Sequence, residues 1–434
     1  MIAFIGVILT IILLPLYVVR FSLYSIPFTL VEAVLLMTFG LWVIDRVTLL
    51  KKRVALRLVF SRLLNPHFIL GIIFIGIGLA SVLYSPETRG ALGIWKAYIV
   101  EPVLFSWVVA SVVNSRKRLY GIITALVISG AGIAVYAIIQ QIIGSNPFAP
   151  NELLQGRSTA VYNTGNAIGL FIGPIFAILM TLVFVQIPKL KGIVKKIILL
   201  VFTAFLYLSA LFFSRSTGAL VGIIISSLVG AGMVYVYILH GTYANVVKYL
   251  LLSIGIALIV VTILPIIVPK YITPKFSEKP LTRVVEGSLL TRLCVWEGAN
   301  NIVYSRPFMG AGLNGFKTYY EQAHTCDPEL LQYPHTNVLN VWTELGFMGL
   351  MLFSGLLYYF ITLCRDLLYA KKDDDFSVPE RIVVIGAMAG MAYWLTHGLV
   401  DVPYFKNDLS IEFWLILIMP LIVKNIQAKG SVKS

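Results

Sequence analysis

Long apolar segments separated by short polar ones run from one end of the chain to the other. A helix that crosses a bilayer needs about 20 apolar residues, because each residue rises about 1.5 Å through a hydrocarbon core about 30 Å thick. Windows of that length predict twelve transmembrane helices. They are expected at residues 2–19, 26–45, 67–84, 94–113, 119–143, 162–187, 195–213, 217–239, 247–268, 337–363, 382–402 and 409–425.

The composition supports a membrane protein. Of the 434 residues, 59% are hydrophobic and only 12% are charged, and the mean hydropathy is +0.89. A soluble domain does not tolerate this balance. The fold class expected is therefore an all-α polytopic membrane protein with about twelve transmembrane helices and one large extracytoplasmic loop.

The distribution of basic residues along the chain indicates the membrane topology. The net charge is +14, but the lysines and arginines lie in short loops between the apolar segments, so we expect membrane lipids as partners and no nucleic acid. Most of the 34 basic residues fall in alternate loops. Because cytoplasmic loops carry the excess of basic residues, both termini are expected in the cytoplasm.

One long polar stretch interrupts the pattern and divides the chain into three parts. Residues 1–269 hold nine predicted helices, 270–336 form a mostly polar loop on the outer side, and 337–434 hold three helices and a cytoplasmic tail. Loops of this length are functional or disordered, and this one contains tryptophan, tyrosines and spaced arginines. Its two cysteines, Cys294 and Cys326, would be joined by a disulfide in an oxidising compartment or stay as separate thiols.

His335 is the leading candidate for chemistry. It follows Pro334, just where the tenth helix is expected to begin. A helix N-terminus presents unpaired N–H groups and partial positive charge, which disfavour the imidazolium and attract phosphate. A neutral imidazole accepts protons near neutral pH. The alternative is a histidine with a structural role at the membrane surface.

Polar side chains inside the apolar segments gather near the outer side. The tenth helix carries Asn337, Asn340 and Glu344 at spacings that share one face, and the eleventh is expected to end with His397 and Asp401 on one face. Buried polar side chains in a bilayer usually face a bundle interior or a cavity. The pattern predicts a polar cavity open to the outside. Further candidates for its lining include Lys96, one of the few basic residues on that side.

Two arginines could bind phosphate. Arg215 lies in the Ser214–Thr217 hairpin, and a guanidinium with hydroxyl neighbours suits a phosphate because it donates two parallel hydrogen bonds. The alternative is an interfacial anchor that reaches toward lipid head groups. Arg292 lies four residues before Trp296 on one face of a short helix predicted over 288–304. The glycines of the turn at 308–312 permit close backbone approach.

The motifs resemble a known family. The segment from Pro334 to Asn340, followed by 344–349, resembles the histidine signature of the O-antigen ligase and polymerase superfamily. Residues 214–219 resemble its arginine hairpin, 292–312 its loop pattern, and 397–404 the end of its penultimate helix. The likeness covers about residues 85–425. It departs at Ser216-Thr217, where members often have glycine directly after the arginine.

The resemblance implies a fold related to the GT-C class and a specific reaction. A preassembled glycan would move from undecaprenyl diphosphate to an acceptor hydroxyl, without a nucleotide sugar or other cofactor, at the outer face of the bacterial cytoplasmic membrane. In ligases the acceptor is the lipid A core of lipopolysaccharide. By position, Arg215 and Arg292 match arginines expected on the donor diphosphate, and His335 matches the proposed base.

Three readings stay open. The resemblance favours a ligase-type transferase, expected to be metal-independent because the loop has no paired outer carboxylates, and expected to invert the anomeric configuration. A polymerase would use the same donor with a second lipid-linked glycan as acceptor. A transporter of small anions would account for a basic cavity, but the sequence shows no internal repeat and places its key residues in an external loop.

Overall fold

The computed structural model describes residues 2–23, 26–50, 65–186, 194–238, 281–323, 331–370 and 378–430. Helices account for nearly all of the regular structure in these ranges. The elements, in chain order, are α1 (Ile2–Ile12), a 3-10 helix (Leu14–Val18), β1 (Arg20–Leu23), β2 (Ile26–Thr29), α2 (Leu30–Leu50), α3 (Pro66–Tyr84), α4 (Thr88–Ile94), a π-helical segment (Trp95–Val100), α5 (Glu101–Val112), α6 (Arg116–Ile143), α7 (Pro150–Leu154), α8 (Gly165–Gln186), α9 (Val194–Ser214), α10 (Thr217–Tyr237), α11 (Leu281–Ser305), α12 (Phe316–Ala323), α13 (Asn337–Tyr369), α14 (Val378–His397) and α15 (Asn407–Gly430).

The structure confirms an all-α, multi-pass membrane protein. Within the described residues, eight helical stretches are long and apolar enough to cross a bilayer. They are α3, the continuous stretch from α4 to α5, α6, α8, α10, α13, α14 and α15. The predicted ninth helix, 247–268, lies outside the described residues, and the total of twelve stays a prediction.

A β-hairpin near the start of the chain was not expected. The first helix, predicted to reach residue 19, leaves α-geometry after Ile12, because Pro15 has no N–H to continue the helical ladder. Strands β1 and β2 then pair antiparallel, with Arg20 opposite Thr29. The second helix consequently begins at Leu30 instead of residue 26.

The eleventh predicted helix, 382–402, is shifted. Helix α14 runs from Val378 to His397 and is followed by an irregular segment. Gly398 follows it at once, where glycine commonly ends helices, and Pro403 lies a few residues beyond. His397 and Asp401 therefore do not share a helix face.

The chain divides into two compact units, each assembled from separated stretches. The first contains residues 1–125, 288–363 and 398–426, and the second contains 126–287, 364–397 and 427–434. Within the second unit α8, α10 and α14 pack together. Gly173 and Gly222 lie against the ring of Tyr393, whose hydroxyl donates to the carbonyl oxygen of Gly169 over 2.8 Å. Small residues at such a contact let membrane helices approach closely.

Gly173→Ala is expected to destabilise the second unit. A Cβ at this position would overlap the ring of Tyr393, and overpacking of this kind costs about 1–3 kcal/mol. Thermal unfolding in detergent measures the effect. The control is Gly132→Ala on α6 of the same unit, where a Cβ meets no atom within 4 Å. Equal melting temperatures for the two variants would contradict this packing.

Candidate functional site

His335 occupies an unusual backbone conformation immediately before α13. The helix begins at Asn337, as predicted, and His335 has φ = 49°. This left-handed region costs a non-glycine residue about 1–3 kcal/mol and persists where the surroundings enforce it. One enforcing contact is the N–H of Asn337, which donates to the carbonyl oxygen of Gly398 over 2.8 Å.

Asp401 faces the imidazole of His335. Its Oδ1 lies 3.4 Å from Nδ1 of the histidine, and its side chain is 11% exposed against 31% for His335. The two groups are not aligned as a hydrogen bond, a looseness that is common in active sites before substrate binds. A carboxylate at Nδ1 favours the tautomer protonated there. Nε2 is then the nitrogen that can accept a proton.

The neighbouring Tyr333 is excluded as a base near neutral pH. Burial, together with the nearby Tyr98 and Glu344, raises the pKa of Tyr333 well above its ordinary value. Its phenol therefore stays protonated.

The segment from Gly398 to Val402, hereafter the 398–402 segment, also holds Arg292. The Nε of Arg292, a half-buried side chain on α11, donates to the carbonyl oxygen of Val400 over 3.1 Å. The same five residues thus contact His335 through Asp401, Asn337 through Gly398 and Arg292 through Val400. The structure brings together these predicted residues of the first unit.

Glu344 holds a loop in place. It is fully buried, and its carboxylate accepts the backbone N–H groups of Asn314 and, over 3.3 Å, Phe316. The hydroxyl of Ser81 donates to its carbonyl oxygen and accepts the N–H of Leu313 over 3.0 Å. Predicted as a supporting side chain, Glu344 is engaged in positioning the chain after the glycine turn.

The glycine turn at 308–312 docks into a break in α13. At Gly346 the helix adopts φ = 69°, and a Cβ there would overlap the carbonyl oxygen of Phe308. The N–H of Phe347 donates instead to the carbonyl of Pro307 over 3.1 Å, and that of Ala311 to Thr343 over 2.6 Å. The close backbone approach expected of these glycines is found at both: Gly310 lies against the backbone of α13 at Trp342 and Thr343, and Gly312 lies against the backbone of Ser81 and Ser85 at the end of α3.

The other supporting candidates differ in their surroundings. Asn340 is fully buried, and neither atom of its amide finds a hydrogen-bond partner among the described residues. Lys96, in the π-helical segment, lies 3.0 Å from Glu32 and 3.9 Å from Glu101. Its ammonium also stands 4.9 Å from the centroid of the Phe28 ring. Lys96 is thus engaged in ion pairs, whereas Asn340 has unused hydrogen-bonding groups.

Arg215 lies in the second unit, and it too has a left-handed backbone, with φ = 50°. Its Nη1 donates to the carbonyl oxygen of Gln155 over 3.2 Å. Partial burial of the guanidinium and the nearby Arg157 lower the pKa of Arg215, but an arginine stays charged in proteins. Ser216, at the position where family members often have glycine, caps α10 by accepting the N–H of Ala219 over 3.3 Å.

Sequence reasoning missed Arg157 as a site residue. In the structure its guanidinium contacts Glu152, Asn166 and the backbone of Ser214, next to Arg215. These partners lie up to 57 positions away along the chain, and no local pattern could have connected them.

The cysteines fall into two classes. Cys294 is buried on α11 and disulfide-bonded, whereas Cys364 is a buried free thiol. The predicted partner of Cys294, Cys326, lies outside the described residues. A bond at Cys294 lies two residues from Arg292 and so restrains that part of α11.

Comparisons with known proteins agree with the motifs. Residues 202–354, which include Arg215, Arg292 and His335, match the family described as O-Antigen ligase. Proteins of Rickettsia conorii and Rickettsia typhi are 27% and 26% identical over 187 residues, and one of Rickettsia bellii is 27% identical over 171. Each carries a name that describes a polysaccharide ligase. The alignments cover 39%, 39% and 36% of this chain and 41%, 41% and 38% of those proteins. The resemblance to the O-antigen ligase superfamily is thereby confirmed.

Gly346→Ala is expected to loosen the turn that docks on α13. An alanine there combines a left-handed backbone with overlap against the Phe308 carbonyl, and strain of this kind costs about 1–3 kcal/mol. Thermal unfolding in detergent and protease sensitivity of the 307–316 loop measure it. The control is Gly355→Ala on the same helix, where a Cβ meets no atom within 4 Å. A Gly346→Ala variant as stable as this control would show that the break is not needed.

Proposed function

We propose that this relative of the O-antigen ligases transfers a preassembled glycan from undecaprenyl diphosphate to an acceptor hydroxyl at the outer face of the bacterial cytoplasmic membrane. The observation that carries the proposal is the pairing of His335, held in a left-handed backbone, with Asp401, 3.4 Å away. An imidazole backed by a carboxylate is an arrangement that suits general-base catalysis.

His335 acts as the base on the acceptor. As the acceptor oxygen bonds to the anomeric carbon of the glycan, its proton passes to Nε2 of His335. The bond from that carbon to the diphosphate breaks, and its electron pair stays on the departing phosphate oxygen. Asp401 stabilises the imidazolium that forms. Attack opposite the leaving group inverts the anomeric configuration.

The departing diphosphate needs positive charge, which arginine supplies without a change of protonation state. Arg292 is fixed through Val400 in the same segment that carries Asp401. Arg215 is assigned the same task within its own unit, on its match to the arginine hairpin of the family and on its exposed, charged side chain. The reaction proposed uses no nucleotide sugar, cofactor or metal ion.

The acceptor separates a ligase from a polymerase. The names of the Rickettsia relatives favour the ligase, with the lipid A core of lipopolysaccharide as acceptor. The test incubates the reconstituted protein and a lipid-linked glycan with lipid A core, or with donor alone. A glycosylated lipid A core supports the ligase. Longer lipid-linked glycans from donor alone would assign a polymerase, and no product in either reaction would overturn glycan transfer.

His335→Ala is expected to lower the rate of glycan transfer by about 10²- to 10⁴-fold, the usual contribution of a positioned base. Arg292→Ala and Arg215→Ala should likewise reduce transfer, by weakening donor binding and leaving-group stabilisation. Membrane insertion and thermal stability of each variant are measured beside the activity. A fully active His335→Ala protein would remove the base from this mechanism.

Asp401→Asn is expected to lower the transfer rate by about 10- to 100-fold, because an amide keeps the shape of the carboxylate but not the charge that stabilises the imidazolium. Initial rates at saturating donor and acceptor measure the effect. Asp366→Asn is the matched control, since Asp366 is an exposed carboxylate paired with its neighbour Arg365. If both variants keep the wild-type rate, Asp401 has no part in the reaction.

A further inference from the structure

We propose that Arg157 is a positioning residue, which holds Arg215 in the conformation that binds the lipid diphosphate. The identity of that ligand rests on the proposed function. The arrangement of Arg157 and Arg215 is observed independently of that function, and all of its contacts lie within the second unit.

Three nitrogens of the Arg157 guanidinium are used by three different groups. Nη1 forms an ion pair with Glu152 at 3.1 Å, Nε donates to the carbonyl oxygen of Ser214 over 3.1 Å, and Nη2 donates to Oδ1 of Asn166 over 2.7 Å. These partners belong to α7, to the end of α9 and to the start of α8. A planar fork can satisfy three such acceptors at once, whereas a lysine ammonium cannot reproduce that geometry.

The hydrogen bond from Arg157 to the Ser214 carbonyl restrains the backbone next to Arg215. The Ser214 carbonyl belongs to the peptide unit that joins Ser214 to Arg215, so a hydrogen bond to it fixes the orientation of that unit. Arg215 has φ = 50°, in a region that a residue with a side chain seldom adopts. A neighbouring contact restrains the same turn, since the N–H of Ser158 donates to the carbonyl oxygen of Phe213 over 2.9 Å.

The backbone next to Arg157 cradles the side chain of Arg215. Gln155 supplies the carbonyl that accepts from Nη1 of Arg215. A Cβ at Gly156, which has φ = 73°, would lie 2.8 Å from Nη2 of Arg215. Within the described part of the chain, the Gln155 carbonyl is the only hydrogen-bond acceptor of that guanidinium. The fork of Arg215 is thus held on one side and keeps further donors for a phosphate.

Glu152 pairs with Arg157, so that Arg215 supplies the positive charge for the diphosphate. Glu152 neutralises Arg157, which sits close enough to Arg215 to help lower the pKa of that guanidinium. Without Glu152, the neighbouring positive charges of Arg157 and Arg215 would repel each other more strongly. Arg157 therefore contributes geometry, and Arg215 contributes the charge that meets the ligand.

The experiment compares Arg157→Lys with Arg215→Ala in the full-length protein. We expect Arg157→Lys, which keeps the charge, to raise the KM for the lipid-linked donor by about 10- to 100-fold while the KM for acceptor is unchanged, since misplacement of a binding group by about 1 Å costs up to about 100-fold. Binding of undecaprenyl diphosphate alone, without turnover, should weaken by the same factor. The control is Arg381→Lys, an arginine of the same unit that donates to the backbone at Leu368 and Ala370. It should leave donor KM unchanged.

A double variant tests whether Arg157 works through Arg215. In an Arg215→Ala background, Arg157→Lys should not weaken undecaprenyl diphosphate binding further, because coupled residues are not additive. Asn166→Ala, which removes one of the three contacts, should give a smaller rise in donor KM and serves if Arg157→Lys does not fold.

Failure of the positioning role and failure of the proposed function would give different results. A wild-type donor KM in both Arg157→Lys and Asn166→Ala, while Arg215→Ala loses diphosphate binding, would overturn the positioning role and leave the proposed function intact. Wild-type diphosphate binding and turnover in Arg215→Ala would instead remove Arg215 from the proposed function. A fully additive loss in the double variant would show that Arg157 acts independently of Arg215, and would overturn the inference.

Discussion

Five residues between two membrane helices provide the contacts on which the candidate site of the first unit depends. Helix α14 ends at His397 and α15 begins at Asn407, so the carbonyl groups in between have no helical partners. Two of them, those of Gly398 and Val400, accept from Asn337 and Arg292. The same turn brings Asp401 to His335. Hydrogen-bonding the backbone at the end of a membrane helix and assembling the site are thus achieved by one set of interactions.

Strained backbone conformations occur at both Arg215, in the hairpin, and His335, before α13. Of the four non-glycine residues with positive φ in the described part of the chain, two are Arg215 and His335, which sequence motifs had already singled out. Contacts from other segments lie beside each of these residues: Asp401 and Gly398 contact His335 and Asn337, and Arg157 donates to the carbonyl oxygen of Ser214, next to Arg215. Strained residues held by over-determined surroundings are typical of preorganised sites.

Much of the fold followed from the sequence, since apolar segments of about 20 residues have few alternatives in a bilayer. The start of α13 and the choice of His335 and Arg292 also rested on local signals, a proline before a polar helix start and arginines spaced in a long loop. Other features depend on contacts between distant positions. The burial of Glu344 against the 314–316 backbone and the contact of Arg157 with Ser214 join segments that no local pattern links. The hairpin after Pro15 and the end of α14 before Gly398 instead follow local proline and glycine signals, which windows of hydrophobic residues do not weigh. The prediction that His397 and Asp401 share a helix face was wrong because α14 ends at His397, directly before Gly398.

The most direct test of the account follows both products of one reaction. Purified protein in proteoliposomes is given a lipid-linked glycan with labelled anomeric carbon and an acceptor, and the glycosylated acceptor and free undecaprenyl diphosphate are measured over time. The account predicts that the two appear at equal rates and that NMR shows an inverted anomeric configuration. Retention of configuration, release of a lipid monophosphate, or lipid diphosphate released without a glycosylated product would contradict displacement by an acceptor oxygen that His335 deprotonates.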